Sequence, residues 1–436
     1  MTDEHVARSR PRLTATVTDL EVVRQRALLL GVATRAMDLA EAETSLAELA
    51  LLTDTAGSEP VESILQRRDR FDPATLIGPG KATELASEVA ALDVDVVVVD
   101  NDLTPAQQRN LQKIFEVDVV DRVALILDIF AQHATSKAGM LQVELAQLKY
   151  RLPRLRGRGI ELSRLGGGIG TRGPGETKLE TDRRRILARI SKLERELADL
   201  SRSRDTQRKA RRRSRLPTLA LVGYTNAGKS TLLNRLTGAG VLVEDRLFST
   251  LDSTVRRLEL PGGQETLVSD TVGFVRRLPH QLVEAFRSTL EEATHADLLL
   301  HVVDGAEPTA ERQIGAVRDV LADIGAAGVP ELLVLNKADA AEPAAWNRLR
   351  LLHPDAVPIS AATGDGIDDL LEALVKRLGE ATREVTLTVP YDRGDVVAAI
   401  HRQGEVVEES HAPEGTRLRV RLSGEDAGRF VNLLES

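Results

Sequence analysis

Three short motifs in the middle of the chain carry, in a fixed order, the residue types needed to hold a nucleoside triphosphate. The first consists of Gly223, Tyr224, Thr225, Asn226, Ala227, Gly228, Lys229 and Ser230. The second consists of Asp270, Thr271, Val272 and Gly273. The third consists of Asn336, Lys337, Ala338 and Asp339. Together they predict a phosphate loop, a γ-phosphate sensor and a guanine reader, which is the set of a GTPase that binds GTP and GDP.

The phosphate loop is predicted to lie between the strand Leu219–Val222 and a helix. Two glycines, Gly223 and Gly228, let the backbone curl so that its N–H groups can surround a β-phosphate. Lys229 would reach the β- and γ-phosphates, and Ser230 would ligate Mg²⁺. The neighbouring asparagine of the loop, Asn226, is of a type that helps to bind K⁺ in some related enzymes, and a turn-stabilising role is the alternative.

A second hydroxyl ligand for Mg²⁺ is expected from a later run of residues. This run consists of Phe248, Ser249, Thr250, Leu251 and Asp252, all included in the predicted GTP site. Thr250, twenty residues after Ser230, is the predicted switch threonine, and Ser249 is the chemical alternative. Asp270 would hold the metal through a water molecule, and the Gly273 N–H would donate to the γ-phosphate.

The third motif predicts selectivity for guanine. Asn336 and Lys337 would brace the base, while the Asp339 carboxylate accepts the two adjacent N–H groups of guanine. Adenine offers no such pair, and a carboxylate left unpaired would weaken binding by about 1–3 kcal/mol. A later loop would hold the guanine O6 through backbone N–H groups. That loop consists of Ser360, Ala361 and Ala362.

The residue after Gly273 is Phe274, at the position where Ras-like enzymes carry the glutamine that orients the attacking water. Because a phenyl ring cannot polarise water, we predict slow intrinsic hydrolysis that a large partner stimulates. No catalytic residue is assigned from the sequence. His295 and His301 lie before and within the predicted strand Leu298–Asp304, and both are interpreted as packing or capping residues rather than catalytic bases.

The composition of the 436-residue chain excludes several classes of protein. It contains no cysteine, which rules out disulfides, thiolate metal sites and cysteine nucleophiles. No stretch approaches the roughly 18 consecutive apolar residues of a membrane helix. The charged N-terminus lacks the apolar core of a signal peptide. A soluble, cytoplasmic protein without a membrane span is therefore expected, and nothing in the sequence demands more than a monomer.

Charge is distributed unevenly along the chain. The net charge is −8, but residues 149–215 hold 22 Lys and Arg against 8 Asp and Glu, which leaves −22 for the rest. Such asymmetry predicts contact with a polyanion, most often nucleic acid, and a solvated helix pair is the alternative. Because aromatic residues make up only 3% of the chain, contact with the phosphate backbone is favoured over base stacking.

The pattern of apolar segments predicts a multidomain α/β protein. Strands and helices alternate over residues 20–130, which favours an N-terminal α/β domain with a largely parallel sheet. Residues 131–215 are predicted to form a helical hairpin with a Gly/Arg-rich tip and a basic linker. A P-loop GTPase domain is predicted over residues 216–380, and a small C-terminal α/β domain over residues 381–436.

Both helices of the predicted hairpin carry an apolar seam. On the first, the seam is formed by Leu141, Leu145, Leu148 and Leu152, and Pro153 is predicted to end that helix. On the returning helix, a heptad seam is formed by Leu179, Ile186, Ile190, Leu193, Leu197 and Leu200. The glycine-rich stretch 157–175 between them is interpreted as a tip that contacts phosphates, with a disordered linker as the alternative. The candidate rRNA-binding residues are Arg154, Arg156, Arg158, Arg164 and Arg172.

Two signatures resemble one known family. The segment from Gly166 to Arg185, followed by a basic helix and a GTPase domain that continues from Gly273 into Phe274, is similar to HflX, a family of bacterial ribosome-associated GTPases of the Obg-like class. The run from Phe248 to Thr254 adds to the resemblance, which covers nearly the whole chain from about residue 20. The family more often has proline where Ser253 stands.

The resemblance implies a function. Proteins of this family bind the 50S subunit, place the hairpin tip near the peptidyl-transferase centre and split stalled or idle 70S ribosomes. Residues 154–175 would then be the tip, in contact with 23S rRNA. GTP would favour the state that splits ribosomes, and hydrolysis stimulated by the 50S subunit would release the protein. Two alternatives stay open: a checkpoint in 50S assembly that does not split ribosomes, and a regulator of a membrane protease.

Overall fold

The computed structural model describes most of the chain as two compact units. The described residues are 16–18, 21–35, 37–155, 174–213, 216–238, 248, 255–271, 273–275, 290, 292–380 and 382–435. The first unit contains the described residues up to Leu197 together with Phe248, and the second contains the others. Four of the candidate rRNA-binding residues lie outside the described part of the chain, namely Arg156, Arg158, Arg164 and Arg172.

A four-stranded parallel sheet forms the centre of the first unit. A short antiparallel pair precedes it, made of β1 (Thr16–Thr18) and β2 (Glu21–Val23). The strands of the sheet are β3 (Gln25–Thr34), β4 (Ser58–Arg68), β5 (Val96–Val99) and β6 (Asp118–Asp121). They lie in the order β4-β3-β5-β6. β5 consists of four buried valines, as expected for a central parallel strand that is covered on both faces.

Helices alternate with these strands, which confirms the α/β pattern predicted for the region. They are α1 (Leu39–Thr55), α2 (Pro79–Ala91), α3 (Pro105–Phe115) and α4 (Arg122–His133). The bounds of α3 follow from local signals: Pro105 is its first residue, and Thr104 and Gln107 form a capping box. α4 follows β6 directly and was not predicted.

The two predicted hairpin helices are α5 (Lys137–Arg154) and α6 (Pro174–Arg213). Within the first unit they are joined by the ion pairs Arg189–Glu144, at 2.6 Å, and Lys149–Glu194, at 3.1 Å. The prediction that Pro153 ends the first helix is wrong by one residue, because α5 includes Pro153 in its last turn.

The predicted seam of α6 is confirmed from Ile186 onwards. Ile190 and Leu193 are buried, and Ile186, Leu197 and Leu200 are half-buried. The side chain of Leu179 lies outside the described part of the helix.

The second unit contains a six-stranded sheet in the order β12-β11-β10-β7-β9-β8. Its strands are β7 (Thr218–Gly223), β8 (Val255–Leu260), β9 (Gln264–Asp270), β10 (Leu298–Asp304), β11 (Glu331–Asn336) and β12 (Val357–Pro358). Its helices are α7 (Lys229–Thr237), α8 (Ala310–Asp323), α9 (Pro343–Leu352) and α10 (Ile367–Glu380). Only the edge strand β8 pairs antiparallel. Since the carboxyl ends of parallel strands share one edge of a sheet, the three motifs meet there.

A small α/β region completes the second unit. Its elements are β13 (Thr382–Val389), α11 (Gly394–Gln403), β14 (Glu405–Ala412), β15 (Gly415–Ser423) and α12 (Gly424–Glu435). The antiparallel sheet has the order β13-β15-β14 and a hydrophobic core of its own. This order of elements was predicted, and the multidomain α/β class is confirmed, whereas the domain limits at residues 130, 215 and 380 stay predictions.

Among the helices that the structure describes, none is long and apolar enough to cross a membrane.

Candidate nucleotide-binding site

The first motif forms the turn between β7 and α7, as predicted. Gly223 has a φ of 149°, and a Cβ atom there would lie 2.2 Å from the carbonyl oxygen of Val302. Gly228 has a φ of 90°, and a Cβ atom there would lie 2.2 Å from Nδ2 of Asn336. Both positions therefore require glycine, for conformation and for space. Asn226 has a φ of 58°, which asparagine tolerates better than most residues, and its binding of K⁺ stays a prediction.

Lys229 begins α7, and the loop holds its ammonium group. Nζ donates to the carbonyl oxygens of Tyr224, at 2.7 Å, and Gly223, at 3.1 Å. Burial lowers the pKa of Lys229 to about 8, and the nearby Asp270 carboxylate opposes this shift. A buried ammonium group whose hydrogen-bond partners are two neutral carbonyls gains free energy when an anion binds beside it, so this lysine is suited to phosphate.

Ser230 and Asp270 bring a hydroxyl and a carboxylate together beside the loop. Ser230 Oγ donates to Asp270 Oδ2 at 3.1 Å, and Asp270 is buried at the end of β9. Two hard oxygen donors fit Mg²⁺, which prefers few protein ligands together with waters and substrate phosphates. In the described part of the chain, no cluster of three acidic or histidine side chains could hold a metal by itself. The following predicted members lie outside the described residues: Ser249, Thr250, Leu251, Asp252 and Val272.

The second motif lies against the phosphate loop. The N–H of Phe274 donates to the Gly223 carbonyl at 3.1 Å, and the Phe274 carbonyl accepts the Thr225 N–H at 2.7 Å. A Cβ atom on Gly273 would lie 2.8 Å from Thr225 Cγ2 and 3.1 Å from Lys229 Nζ. The backbone of the predicted γ-phosphate sensor is therefore next to the lysine that would bind the same phosphate. The Phe274 ring is buried, with 1% of the residue exposed.

Asn336 ties the guanine-reader motif to two other loops. Its Nδ2 donates to the Ala227 carbonyl at 2.8 Å, and its Oδ1 accepts the Ala361 N–H at 2.9 Å. The predicted bracing role of Asn336 therefore has a geometric basis. Asp339 follows β11 and is exposed, so its carboxylate is accessible to a base.

Lys337 is held by a residue that sequence reasoning missed. Its Nζ lies 2.7 Å from Oδ2 of Asp304, which ends β10. Asp304 Oδ1 accepts the Ala306 N–H at 3.0 Å, so the carboxylate is fixed on both sides. A carboxylate directly after an apolar strand, at the edge where the motifs meet, is the sequence signal that could have identified it.

The predicted loop for the guanine O6 is held by Arg235 of α7. Its Nε donates to the Ala361 carbonyl at 3.1 Å, and its Nη2 donates to the Ala362 carbonyl. Ser360 is buried and its Oγ accepts the Thr363 N–H at 3.1 Å, which shapes the turn. Because the Ala361 N–H is directed to Asn336, the N–H of Ala362 is the better candidate for contact with the base.

Family models match the chain along most of its length. Their descriptions are GTP-binding GTPase N-terminal over residues 43–131, GTP-binding GTPase middle region over 133–211, 50S ribosome-binding GTPase over 218–337 and HflX C-terminal domain over 350–433. The GTPase HflX of Caldanaerobacter subterraneus subsp. tengcongensis is 47% identical over 415 residues, which cover 95% of this chain and 94% of that protein.

The chain belongs to the HflX family of GTPases. The GTPase HflX of Alkalihalophilus pseudofirmus is 52% identical over 299 residues, 69% of this chain and 71% of that protein. That of Escherichia coli K12 is 44% identical over 380 residues, 86% of this chain and 89% of that protein. The resemblance drawn from the glycine-rich segment and the switch sequence is confirmed, and GTP hydrolysis follows as the reaction of this HflX-family chain.

Two residues of the predicted site use their side chains within the fold. Thr271 Oγ1 donates to the Leu221 carbonyl at 2.6 Å and so holds the end of β9 to β7. The Phe248 ring is buried in the first unit, edge-to-face on Phe130 of α4, with ring centroids 4.6 Å apart. This packing accounts for the Phe248 side chain, and contact between this residue and a nucleotide stays a prediction.

His301 is a packed residue, as interpreted from the sequence. It is 1% exposed, and its Nδ1 lies 2.5 Å from Oε1 of Glu331. Burial lowers the pKa of His301, so the ring is neutral at physiological pH. His301 therefore links β10 to β11 and is not placed to take a proton from a substrate water.

Arg154 is engaged in contacts within the first unit. It was a candidate for rRNA contact, but its side chain is only 19% exposed and its Nη2 lies 3.0 Å from Oδ2 of the fully buried Asp121. Its charge is already matched and its guanidinium is enclosed by the first unit. The described contacts of Arg154 are therefore structural ones within the first unit, and its contact with rRNA stays a prediction.

The described side chains of α6 are also largely neutralised. Between residues 180 and 202, six of the seven basic side chains lie within ion-pair distance of an acid. The pairs are Arg183 and Arg184 with Glu180, Arg185 with Asp182, Arg189 with Glu144, Lys192 with Glu196, and Arg202 with Asp199. The surplus of positive charge in residues 149–215 therefore comes mainly from the segments on either side of this stretch.

Proposed function

We propose that this HflX-family GTPase binds the 50S ribosomal subunit and splits stalled or idle 70S ribosomes. The observation that carries the proposal is the joining of one complete set of guanine-nucleotide motifs to a hairpin region with 22 basic against 8 acidic residues. Ribosomal RNA is a polyanion to which such a surplus of positive charge would bind. The family model over residues 218–337 is described as a 50S ribosome-binding GTPase, which supports the same partner. The proposal places the protein in the cytoplasm, as a monomer in contact with ribosomes.

The nucleotide is proposed to bind through groups at one edge of the second sheet. Lys229 would compensate the β- and γ-phosphates, because its ammonium group is buried and hydrogen-bonded only to neutral carbonyls among the contacts described. Ser230 and Asp270, together with Thr250, would hold Mg²⁺, which when bound supplies further compensation of the phosphate charge. Asp339 would accept the guanine N–H groups, with the Asn336 amide bracing the surrounding loops.

Hydrolysis is proposed to be slow until the chain meets its partner. Phe274 has no group that accepts a proton or orients water, and its ring is buried. A group outside the described site must therefore complete the catalytic arrangement, and the 50S subunit is the proposed source of this stimulation. The GTP-bound form would engage the ribosome and the GDP-bound form would leave it.

The experiment measures GTP turnover by the full chain with and without purified 50S subunits. In parallel, 70S ribosomes are incubated with the protein and a non-hydrolysable GTP analogue and separated on sucrose gradients. We expect the 50S subunit to raise turnover by about tenfold or more, and the 70S peak to convert into 50S and 30S peaks. The Lys229→Ala variant, which lacks the phosphate ligand, serves as the control and should show neither effect.

Other outcomes are equally informative. A protein that binds and is stimulated by 50S subunits but leaves 70S ribosomes intact would be an assembly checkpoint instead. Rapid turnover that ribosomal subunits do not change would contradict the proposed partner and the inferred role of Phe274.

A further inference from the structure

Arg154 ends α5, directly before the undescribed glycine-rich stretch. Its guanidinium donates to Leu103 O at 2.8 Å, Asp121 Oδ2 at 3.0 Å, Gln108 Oε1 at 3.0 Å and Tyr150 O at 3.1 Å. It also stacks on the Tyr150 ring, with its central carbon 3.5 Å from the ring centroid. The flat, forked shape of arginine is needed for this set of contacts, and lysine cannot reproduce it.

Asp121, the carboxylate that pairs with Arg154, is shared by three elements of the first unit. It is fully buried and accepts the Tyr150 hydroxyl at 2.8 Å, the Ala124 N–H at 2.9 Å and the Leu103 N–H at 3.2 Å. The same carboxylate therefore caps α4, holds the turn before α3 and anchors α5. Removal of either charge from such a buried pair leaves the other without compensation.

We propose that Arg154 is a positioning residue, which acts with Asp121 and Tyr150 to fix the end of α5 from which the Gly/Arg-rich segment continues. The inference rests on the proposed ribosomal function, since the segment is taken to be the part that contacts the 50S subunit. In this view Arg154 is required for ribosome binding without touching RNA. Direct contact with a phosphate, the role first expected from the sequence, is the competing explanation.

Two conservative variants separate these explanations. Arg154→Lys keeps the positive charge but loses the fork, and Asp121→Asn keeps the shape of its partner but loses the negative charge. If Arg154 positions α5, both variants should weaken 50S binding by about tenfold or more. If Arg154 contacts a phosphate, Arg154→Lys should bind nearly as well as the parent, and Asp121→Asn should not weaken binding at all.

The control is Arg151→Ala, an exposed arginine on the same helix, one turn earlier. It removes the same charge from the same region without disturbing the buried pair. GTP affinity should stay within about twofold in all variants, because the phosphate loop and the guanine reader belong to the other compact unit. Because GTP affinity reports on the second unit, far-UV circular dichroism of each variant is measured as well, and it shows whether the helices of the first unit are folded.

Full-length variants are sedimented with purified 50S subunits and a non-hydrolysable GTP analogue over a range of salt concentrations. Hydrogen exchange of residues 148–155 is measured in the same preparations. Support requires faster exchange in Arg154→Lys and Asp121→Asn, together with weaker 50S binding whose salt slope stays that of the parent. Arg151→Ala should leave the exchange of residues 148–155 unchanged.

Three results would overturn the inference. Faster exchange with undiminished 50S binding would make the pair structural only. Full binding by Arg154→Lys, with a salt slope reduced by about one in Arg154→Ala, would make Arg154 a phosphate contact. A parent protein that does not bind 50S subunits would remove the proposed function itself, which the parent sample shows independently of the variants.

Discussion

The N–H of Thr225 donates to the carbonyl of Phe274 at 2.7 Å, which joins the phosphate loop to the segment after the γ-phosphate sensor. The N–H of Phe274 in turn donates to the Gly223 carbonyl at 3.1 Å. A phosphate loop binds phosphate through its backbone N–H groups, and in this structure the Thr225 N–H donates to the Phe274 carbonyl instead. A phosphate that took this N–H would release the Phe274 carbonyl. We therefore expect nucleotide binding to change the position of Phe274.

The burial of Phe274 leads to a prediction for Phe274→Gln, which restores the side chain that Ras-like enzymes use. The amide would replace a ring that is 1% exposed, so we expect a loss of about 2–4 kcal/mol in the free energy of unfolding. Hydrolysis without ribosomes should rise by less than about tenfold, because the position packs in the interior. Urea denaturation and single-turnover hydrolysis measure the two effects.

Phe274→Leu is the matched control for this substitution. It keeps an apolar side chain and should cost about 1–2 kcal/mol, with hydrolysis unchanged. The opposite result would be a Phe274→Gln variant that is as stable as the parent and hydrolyses GTP about a hundredfold faster. It would show that the side chain at position 274 faces the attacking water.

The lowered pKa of Lys229 predicts that nucleotide binding takes up a proton. At pH 8.5 a group with a pKa of about 8 is roughly three-quarters neutral, whereas phosphate contact favours its charged form. Binding of GDP at pH 8.5 should therefore take up about three-quarters of a proton, against about a tenth of a proton at pH 7. Isothermal titration calorimetry in two buffers of different ionisation enthalpy measures this number.

The same pKa shift fixes a trend in stability. The pKa of Lys229 lies below its ordinary value of 10.5, so the unfolded chain binds this proton more tightly than the folded chain. The contribution of Lys229 to the free energy of unfolding therefore rises from pH 8 to 10.5 and is lost as the pH falls through 8. Proton uptake that is equal at pH 7 and 8.5 would contradict the assigned environment of the lysine.

Asp339→Asn tests the guanine reader. The exposed Asp339 carboxylate is proposed to accept two N–H groups of the base through its two oxygens, and asparagine replaces one of these oxygens by an NH₂ donor. We expect GTP affinity to fall by about tenfold to a hundredfold and xanthosine triphosphate to bind better than it does to the parent. Equilibrium binding of both nucleotides gives the answer, and the exposed Asp355→Asn is the control. Unchanged preference for GTP would remove Asp339 from the reader.

The features of this fold that depend on residues close together in the sequence were predictable. Thr104 and Pro105 are a local signal for the start of α3. Gly223 and Gly228 indicate the phosphate loop because glycine adopts positive φ more readily than other residues. Arg235 was missed because its partner Ala361 is 126 residues away and is brought near only by the parallel sheet.

Arg154 shows a second limit of sequence reasoning. An arginine beside a glycine-rich basic stretch has the same local sequence whether it is free for RNA or paired internally. The deciding feature is Asp121, which is 33 residues away in the sequence and fully buried in the folded chain. Charge counted along the sequence therefore overstates the charge that is available at the surface.

The ion pair between Lys337 and Asp304 predicts a nucleotide-binding role for Asp304. In Asp304→Asn the side-chain oxygen can still accept the Ala306 N–H, but an NH₂ group replaces the carboxylate oxygen that pairs with Lys337 Nζ. The lysine would then lose its ion pair. GTP and GDP affinities should both fall by about twofold to fivefold, because the base contact is altered and the phosphate contacts are not.

Trp346, the only tryptophan, can report the titration, because its ring lies against Gly305 next to this pair. Asp323→Asn, an exposed carboxylate at the end of α8, is the control. In the Lys337→Met background, Asp304→Asn should have no further effect, and additive losses would show that Asp304 acts by another route.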